Sequence, residues 1–194
     1  MELRREQNHW LVFELGSTHP LYRRTAKFDE RRQKVNAIEV LESNLSAAEM
    51  VAMAYLNDLE DAELMMRPHP QCNSINWQVG HLIVSENAMV SSVAAERMPP
   101  LPDGFAERYS KERAGSDDPA AFARKDELLS VYRTQRQGTL DFLRTLSEAD
   151  LDRQTGIDYA PTVGALIGMQ ATHWLMHSGQ WVIVRRMLGK PIVI

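Results

Sequence analysis

Only one of the 194 residues is a cysteine, Cys72. A lone thiol closes no intramolecular disulfide and builds no cysteine-rich zinc site, so a reducing compartment is expected and any metal falls to nitrogen or oxygen ligands. Basic charge is not in excess either, because 22 Lys and Arg stand against 26 Asp and Glu for a formal net charge of -4. Without a global basic field to grip phosphates, a nucleic-acid partner is disfavoured. No stretch reaches the roughly 18 consecutive apolar residues of a membrane span, since His, Gln or Ser interrupts the longest apolar windows. The Arg-rich opening (Arg4, Arg5, Arg23, Arg24, Arg31 and Arg32) lacks an apolar run followed by a small-residue cleavage site, so no secretory signal is read there. A cytoplasmic chain without membrane or nucleic-acid partners is expected.

Hydrophobic residues make up 44% of the sequence, enough for a sizeable core, and the length suits one domain better than two. Residues 1–34 have no sustained period. They read as an N-terminal extension, either an accessory segment or the product of a translation start placed too far upstream. The second reading is slightly favoured, because periodicity begins just after Val35. The domain proper is then 35–194. Its first helix carries Ile38, Leu41, Leu45, Ala48, Ala52, Tyr55 and Leu59 at alternating steps of three and four, the signature of a bundle seam, and should stop before Pro68. Residues 67–73 form a loop.

Ser74 is positioned to cap a second helix, whose seam reads Trp77, His81, Val84, Ala88, Ser91 and Ala95. Pro99, Pro100, Pro102, Gly104, Gly115 and Pro119 mark 96–119 as a long connection, with one short helical turn near Glu107–Lys111. Such a connection can travel the length of a bundle, so the third helix need not run antiparallel to the second. That third helix, about Ala120–Leu146, presents Leu128, Tyr132, Thr139, Phe142 and Leu146, yet its middle from Arg133 to Gly138 holds no aliphatic residue. A solvated face with one tolerated glycine explains this; so does a wet cavity lined by Tyr132 and Gln135. After a loop at 150–161, Thr162 can cap a last helix to about Leu188, stopped by Gly189 and Pro191.

The seam of that last helix reads Val163, Leu166, Gln170, His173, His177, Gln180, Val184 and Met187. Two histidines and two glutamines thus occupy positions where apolar residues are expected. His173 and His177, four apart, share one face, with Cβ atoms about 5 to 6 Å apart, a separation one metal ion can bridge. With His81 from a facing helix, three nitrogens can converge on a divalent ion and leave a position free. The bland alternative is three hydrogen-bonded core histidines, and spacing alone does not separate the two. The stretch His173-Trp174-Leu175-Met176-His177 lacks the glutamate of the zincin motif, which disfavours peptide hydrolysis.

Two segments carry a resemblance. Asn76-Trp77-Gln78-Val79-Gly80-His81-Leu82, and His173-Trp174-Leu175-Met176-His177-Ser178-Gly179-Gln180 followed by Arg185-Arg186-Met187-Leu188-Gly189-Lys190-Pro191, resemble the two signature segments of the DinB-like family in order and spacing, over residues 36–191. The resemblance implies an all-α four-helix bundle, up-down-down-up, with the long crossover between helices 2 and 3, often assembled as a homodimer. It also implies His81, His173 and His177 as ligands of a divalent ion; imidazole suits several of Zn, Ni, Fe and Mn, and the sequence does not choose among them.

Three neutral imidazoles leave the ion's charge unneutralised, so a water or thiol presented to it is acidified. That physics serves a hydrolase and a thiol transferase equally. Several relatives are similar to transferases or isomerases that use a low-molecular-weight thiol, which makes a metal-dependent enzyme acting on a small electrophile the leading expectation. A non-catalytic, stress-related metal or small-ligand binding module is the alternative, and no catalytic acid or base is assigned. Gln170, Gln180, Glu86 and Gln135 are candidates, by position, to steady the histidine rings. Trp77 and Trp181 are read as pocket walls or core packing, Arg185-Arg186 as a solvated helix end, and Cys72 as incidental.

Overall fold

The computed structural model describes residues 35–94, 96–191 and 193, and the expectation for residues 1–34 lies outside them. Four long helices dominate: α1 (Ala37–Leu56), α2 (Ile75–Ala94), α3 (Lys125–Arg144) and α4 (Val163–Met187). Among the described residues no β-strand forms beyond an isolated bridge pairing Gln154 with Thr162.

Each long helix begins or ends where side chains can replace missing backbone bonds. Asn36 opens α1 by accepting the Glu39 N–H at 2.9 Å, while the Glu39 carboxylate accepts the Asn36 N–H at 3.3 Å, a reciprocal capping box. Ser74 accepts the Trp77 N–H at 3.3 Å and Thr162 accepts that of Ala165 at 3.2 Å, as the sequence predicts. At the far end of α4, Gly189 takes φ +68°. Its N–H donates to the Arg186 carbonyl at 3.1 Å and the Lys190 N–H to that of Arg185 at 2.9 Å, the paired bonds of a Schellman stop. The first helix closes at Leu56, earlier than Pro68 suggests, and a separate turn at Asp61–Leu64 follows it.

Hydrogen bonds fix the helix directions. Asn76, in the first turn of α2, donates to the Ala123 carbonyl just ahead of α3 at 2.9 Å, so α2 and α3 start at the same end. Gln78, also near that end of α2, donates to Gln180 near the end of α4 at 3.3 Å, so these two oppose each other. Arg144 closes α3 and pairs with Glu42 near the start of α1. Arg185, late in α4, donates to the Tyr55 carbonyl at 2.9 Å and pairs with Asp58 just past α1. The order is therefore up-down-down-up, with α1 packed mainly on α4 and α2 packed on both α3 and α4.

Two parallel neighbours of 20 residues each, about 30 Å long, require a connection that returns the chain to its starting end; the one expected at 96–119 does so and runs on to Arg124, α3 starting at Lys125 rather than near Ala120. Pro99 anchors its beginning: its carbonyl accepts from Asn87 and from Gln135, both at 3.0 Å. Gly138 admits the proline ring, since a Cβ there would lie 2.4 Å from Pro99 Cδ. A helical turn at Phe105–Arg108 and a tighter one at Lys111–Arg113 flank the expected Glu107–Lys111. Tyr109, 2% exposed, locks the far end, donating to Asn76 Oδ1 and accepting from the Ala123 N–H, both at 3.0 Å. Burial pushes its hydroxyl pKa up to about 12, so it remains a donor.

The polar middle of α3 is divided: Arg133, Thr134 and Gln137 are exposed, as a solvated face requires, whereas Gln135 and Arg136 turn inward. Arg136 and Glu86 are each 2% exposed, with Arg136 Nη2 and Glu86 Oε2 3.0 Å apart. Glu86 also accepts from Thr139 Oγ1 at 2.7 Å and Trp174 Nε1 at 3.0 Å, while the guanidinium lies 5.8 Å from the Tyr132 ring centre and 5.9 Å from that of Trp174. This knot joins α2, α3 and α4. Gln135, engaged with Asn87 and Pro99, is a clasp for the crossover.

Candidate metal centre

Helix phase decides where the histidines stand. The buried stripe of α2 is Ile75, Val79, Leu82, Ile83, Glu86, Val90 and Ala94, one residue round from the expected seam. Trp77 suggests the wrong phase because it is a large buried residue, but the crossover covers it: its indole N–H donates to the Ser110 carbonyl at 3.0 Å. His81 and Val84 are half-buried and Ala88 and Ser91 exposed. On α4 the deep residues after Gln170 are Ala171, Trp174, Ser178, Trp181, Val184 and Arg185. A strict three-four alternation drifts about 20° per heptad against a straight helix, and over this length it leaves His173, His177 and Gln180 half-buried and Met187 exposed.

All three histidines therefore occupy the shoulder where α2 meets α4. Ring centres lie 5.5 Å apart for His81 and His173, 5.9 Å for His81 and His177, and 5.0 Å for His173 and His177. Each offers a nitrogen within 4.8 Å of the other two. A tetrahedral ion with bonds of about 2.0 to 2.1 Å holds its ligand atoms about 3.4 Å apart, so modest rotation of rings at a half-open surface closes the set.

Their surroundings suit ligand duty. Burial first, then His173 and Lys111, holds His81 below the ordinary imidazole pKa; burial alone lowers His173. For His177, burial followed by His173 and His81 brings the value down to about 4. All three are thus neutral near pH 7, the form a metal needs. His177 Nδ1 and Gln78 Oε1 are 3.0 Å apart; a carboxamide oxygen only accepts, so Nδ1 carries the proton and Nε2 keeps a free lone pair.

Gln78 is the steadying residue that sequence reasoning missed. It is 1% exposed, and its oxygen also accepts the Trp181 indole N–H at 3.0 Å, while its amide donates to the Asn73 carbonyl at 2.8 Å and to Gln180 Oε1 at 3.3 Å. Of the four expected candidates only Gln180 touches this network. Gln170 donates to the Leu166 carbonyl at 2.9 Å, and Glu86 and Gln135 serve the contacts described above. A usable signal was present, since Gln78 precedes His81 by three residues and so shares its side of the helix.

Trp77 stacks on the His81 ring, 4.9 Å between centres and 4° between planes, while Trp181 is fully buried. Gly80 makes room for the crossover beside His81, because a Cβ there would fall 2.1 Å from the Tyr109 ring. Arg185 is a correction: at 1% exposure it is not a solvated helix end but the strap to Asp58, and only Arg186 is exposed. Cys72, half-buried, borders a separate hollow with Arg67 and His69.

His81 and His173 open onto a chamber of about 520 Å³ whose other walls include Met89, Met169, Met176 and Tyr159. Among the described residues no helix is long and apolar enough to cross a membrane.

Comparison with known proteins agrees with this architecture. The family model for the DinB superfamily matches residues 44–181. A crystal structure titled as a conserved protein from Enterococcus faecalis is similar in fold, with TM-score 0.61 and 19% identity, covering 80% of this chain and 99% of that one. No curated protein matches the sequence.

Proposed function

Because the chain belongs to the DinB superfamily, we propose that it is a divalent-metal-dependent enzyme, a thiol-dependent transferase or a hydrolase acting on a small electrophile, with His81, His173 and His177 as metal ligands. The observation that carries this reading is the meeting of three neutral imidazoles from two helices at the mouth of a chamber. When bound, a divalent ion, whether Zn, Ni, Fe or Mn, would acidify a water or thiol presented to it.

The chain's own residues supply the rest. Gln78 fixes the tautomer and orientation of His177, partial burial keeps the rings unprotonated, and the methionine walls offer apolar contact to a substrate body. Among the described residues no carboxylate or lysine lines the chamber, so the protein contributes placement and surroundings rather than an acid or base. That same lack favours the second reading, a non-catalytic binding module for a metal or small ligand. The proposal includes a small-molecule substrate, a cytoplasmic location in keeping with the single Cys72, and a homodimer, for which Leu175, Ile183 and Met187 give α4 an exposed apolar side.

The test is metal analysis of protein purified without a histidine tag, followed by Co2+ substitution and titration with glutathione, coenzyme A, bacillithiol and mycothiol. A thiolate-to-cobalt charge-transfer band is expected with a thiol co-substrate. Bound metal with no response to any thiol moves the assignment to hydrolase or binding module. Metal retained equally by His81→Ala, His173→Ala and His177→Ala overturns the ligand set.

A further inference from the structure

The chamber beside the histidines differs in character from the centre it adjoins. Met89 comes from α2, Met169 and Met176 from α4, and Tyr159 from the preceding loop. Ser85 and Thr172 add hydroxyls, but both are already engaged: Ser85 Oγ lies 3.8 Å from Met89 Sδ and Thr172 Oγ1 donates to the Met169 carbonyl at 3.0 Å. Among the described residues no Lys, Arg, Asp or Glu lines it. Lys111, which acts on His81 electrostatically, is exposed on the crossover and forms no part of the wall.

An ionised group seated against the methionine wall, away from the histidines, gives up water and finds no counter-charge among the lining residues, which costs more than apolar contact returns. Three flexible, polarisable thioethers instead mould themselves to carbon chains of varied shape. About 520 Å³ falls in the range of small-molecule sites, about 300 to 1,000 Å³. Besides the histidine nitrogens, its polar features are the Tyr159 hydroxyl at the rim and the acceptor sides of the Ser85 and Thr172 hydroxyls.

We propose that the chamber receives a mainly hydrocarbon small molecule bearing one polar head, the head turned to His81 and His173 and the uncharged carbon body lying among Met89, Met169 and Met176. This rests on the metal-centre reading and specifies its substrate: the electrophile is apolar, and any anionic part of a thiol co-substrate stays outside the chamber. Tyr159, 74% exposed, and Met176, 59% exposed, form the rim and set the length of chain admitted.

The experiment measures dissociation constants of straight-chain thiols from ethanethiol to hexanethiol on the Zn-loaded full-length protein. The matching alcohols are measured on both loaded and metal-free protein. Each buried methylene is expected to tighten binding about fourfold, with the same slope for alcohols on metal-free protein. 6-Mercaptohexanoate is expected to bind at least tenfold more weakly than hexanethiol, and Thr172→Trp, which fills the chamber from its exposed side, to flatten the slope. A flat series in the unmodified protein, an equal or tighter constant for the carboxylate, or an unchanged slope in Thr172→Trp overturns the proposal. Failure of the metal reading shows separately, as thiols no tighter than alcohols of equal length while the slope persists.

Discussion

Replacing Gln78 by leucine removes one carboxamide and leaves two buried donors without an acceptor, the Trp181 indole N–H and the His177 Nδ1–H. Trp181 is fully buried, so water cannot substitute without repacking. Each buried polar group left unpaired costs about 1 to 3 kcal/mol, and the smaller, half-open loss at His177 keeps the expected sum at about 2 to 4 kcal/mol. For a domain of this size that corresponds to a fall in Tm of about 4 to 16 °C. The metal readout is independent of this: with Nδ1 no longer held, the ring loses its fixed tautomer and affinity should drop about 10- to 100-fold. Gln78→Glu separates the two effects, because a carboxylate still accepts from both donors and makes the imidazole a better ligand, while losing the contacts to Asn73 and Gln180. The assays are thermal unfolding of metal-free protein and competition with a chelator of known affinity. Leucine and glutamate variants that bind Zn2+ equally, or a leucine variant as stable as the parent, would refute the role given to this side chain.

Other perturbations give equally definite outcomes. A ligand at 100 times its dissociation constant stabilises the folded state by about 2.7 kcal/mol, so chelation of metal-loaded protein should lower Tm by roughly 5 to 11 °C; in His81→Ala the difference should vanish, as read by scanning fluorimetry. Folded His177 titrates near 4 against about 6.5 unfolded, so between those values the unfolded state binds more protons; metal-free protein should lose up to about 3 kcal/mol as pH falls from 6.5 to 4, seen in urea midpoints. Gly80→Ala drives a methyl into the boxed Tyr109 ring and should cost about 1 to 3 kcal/mol by denaturant unfolding, loosening His81 with it. Arg136→Met strands the Glu86 carboxylate and should cost about 3 to 5 kcal/mol, of which Glu86→Gln in the same chain recovers a large part, the coupling being measured by a double-mutant cycle.

What the sequence made legible follows from how locally each signal is encoded. Caps act over three or four residues, so Ser74, Thr162 and Gly189 announce their helix ends without reference to the rest of the fold. The seam of α1 was also readable, because α1 packs mainly on one helix, α4, and Leu45, Ala48, Ala52 and Tyr55 are all buried. The faces of α2 were not, since its first turn is enclosed by a crossover whose path depends on Tyr109 meeting Gly80 and Pro99 meeting Gly138, each pair more than 20 residues apart in the chain. Arg136 reads as solvated for the same reason: its partner Glu86 is 50 positions away, and either residue alone looks like surface.

The phase errors on α2 and α4 have one physical consequence, and it bears on the chemistry. Had His81, His173 and His177 stood at the centre of their seams, the other helices would wall them on every side, and a ligand would have to displace core side chains to reach them. Rotated to the shoulder, His81 stacks on Trp77 and opens with His173 onto the chamber, while His177 is held by Gln78 across the α2–α4 seam. The centre of the bundle is left to Trp174, Trp181 and the Glu86–Arg136 pair, which fix the spacing of α2 and α4 without entering the site. Positioning and access are thereby assigned to different residues on the same two helices, so exposed wall positions such as Met176 and Thr172 can change the ligand admitted while the imidazole set stays as it is.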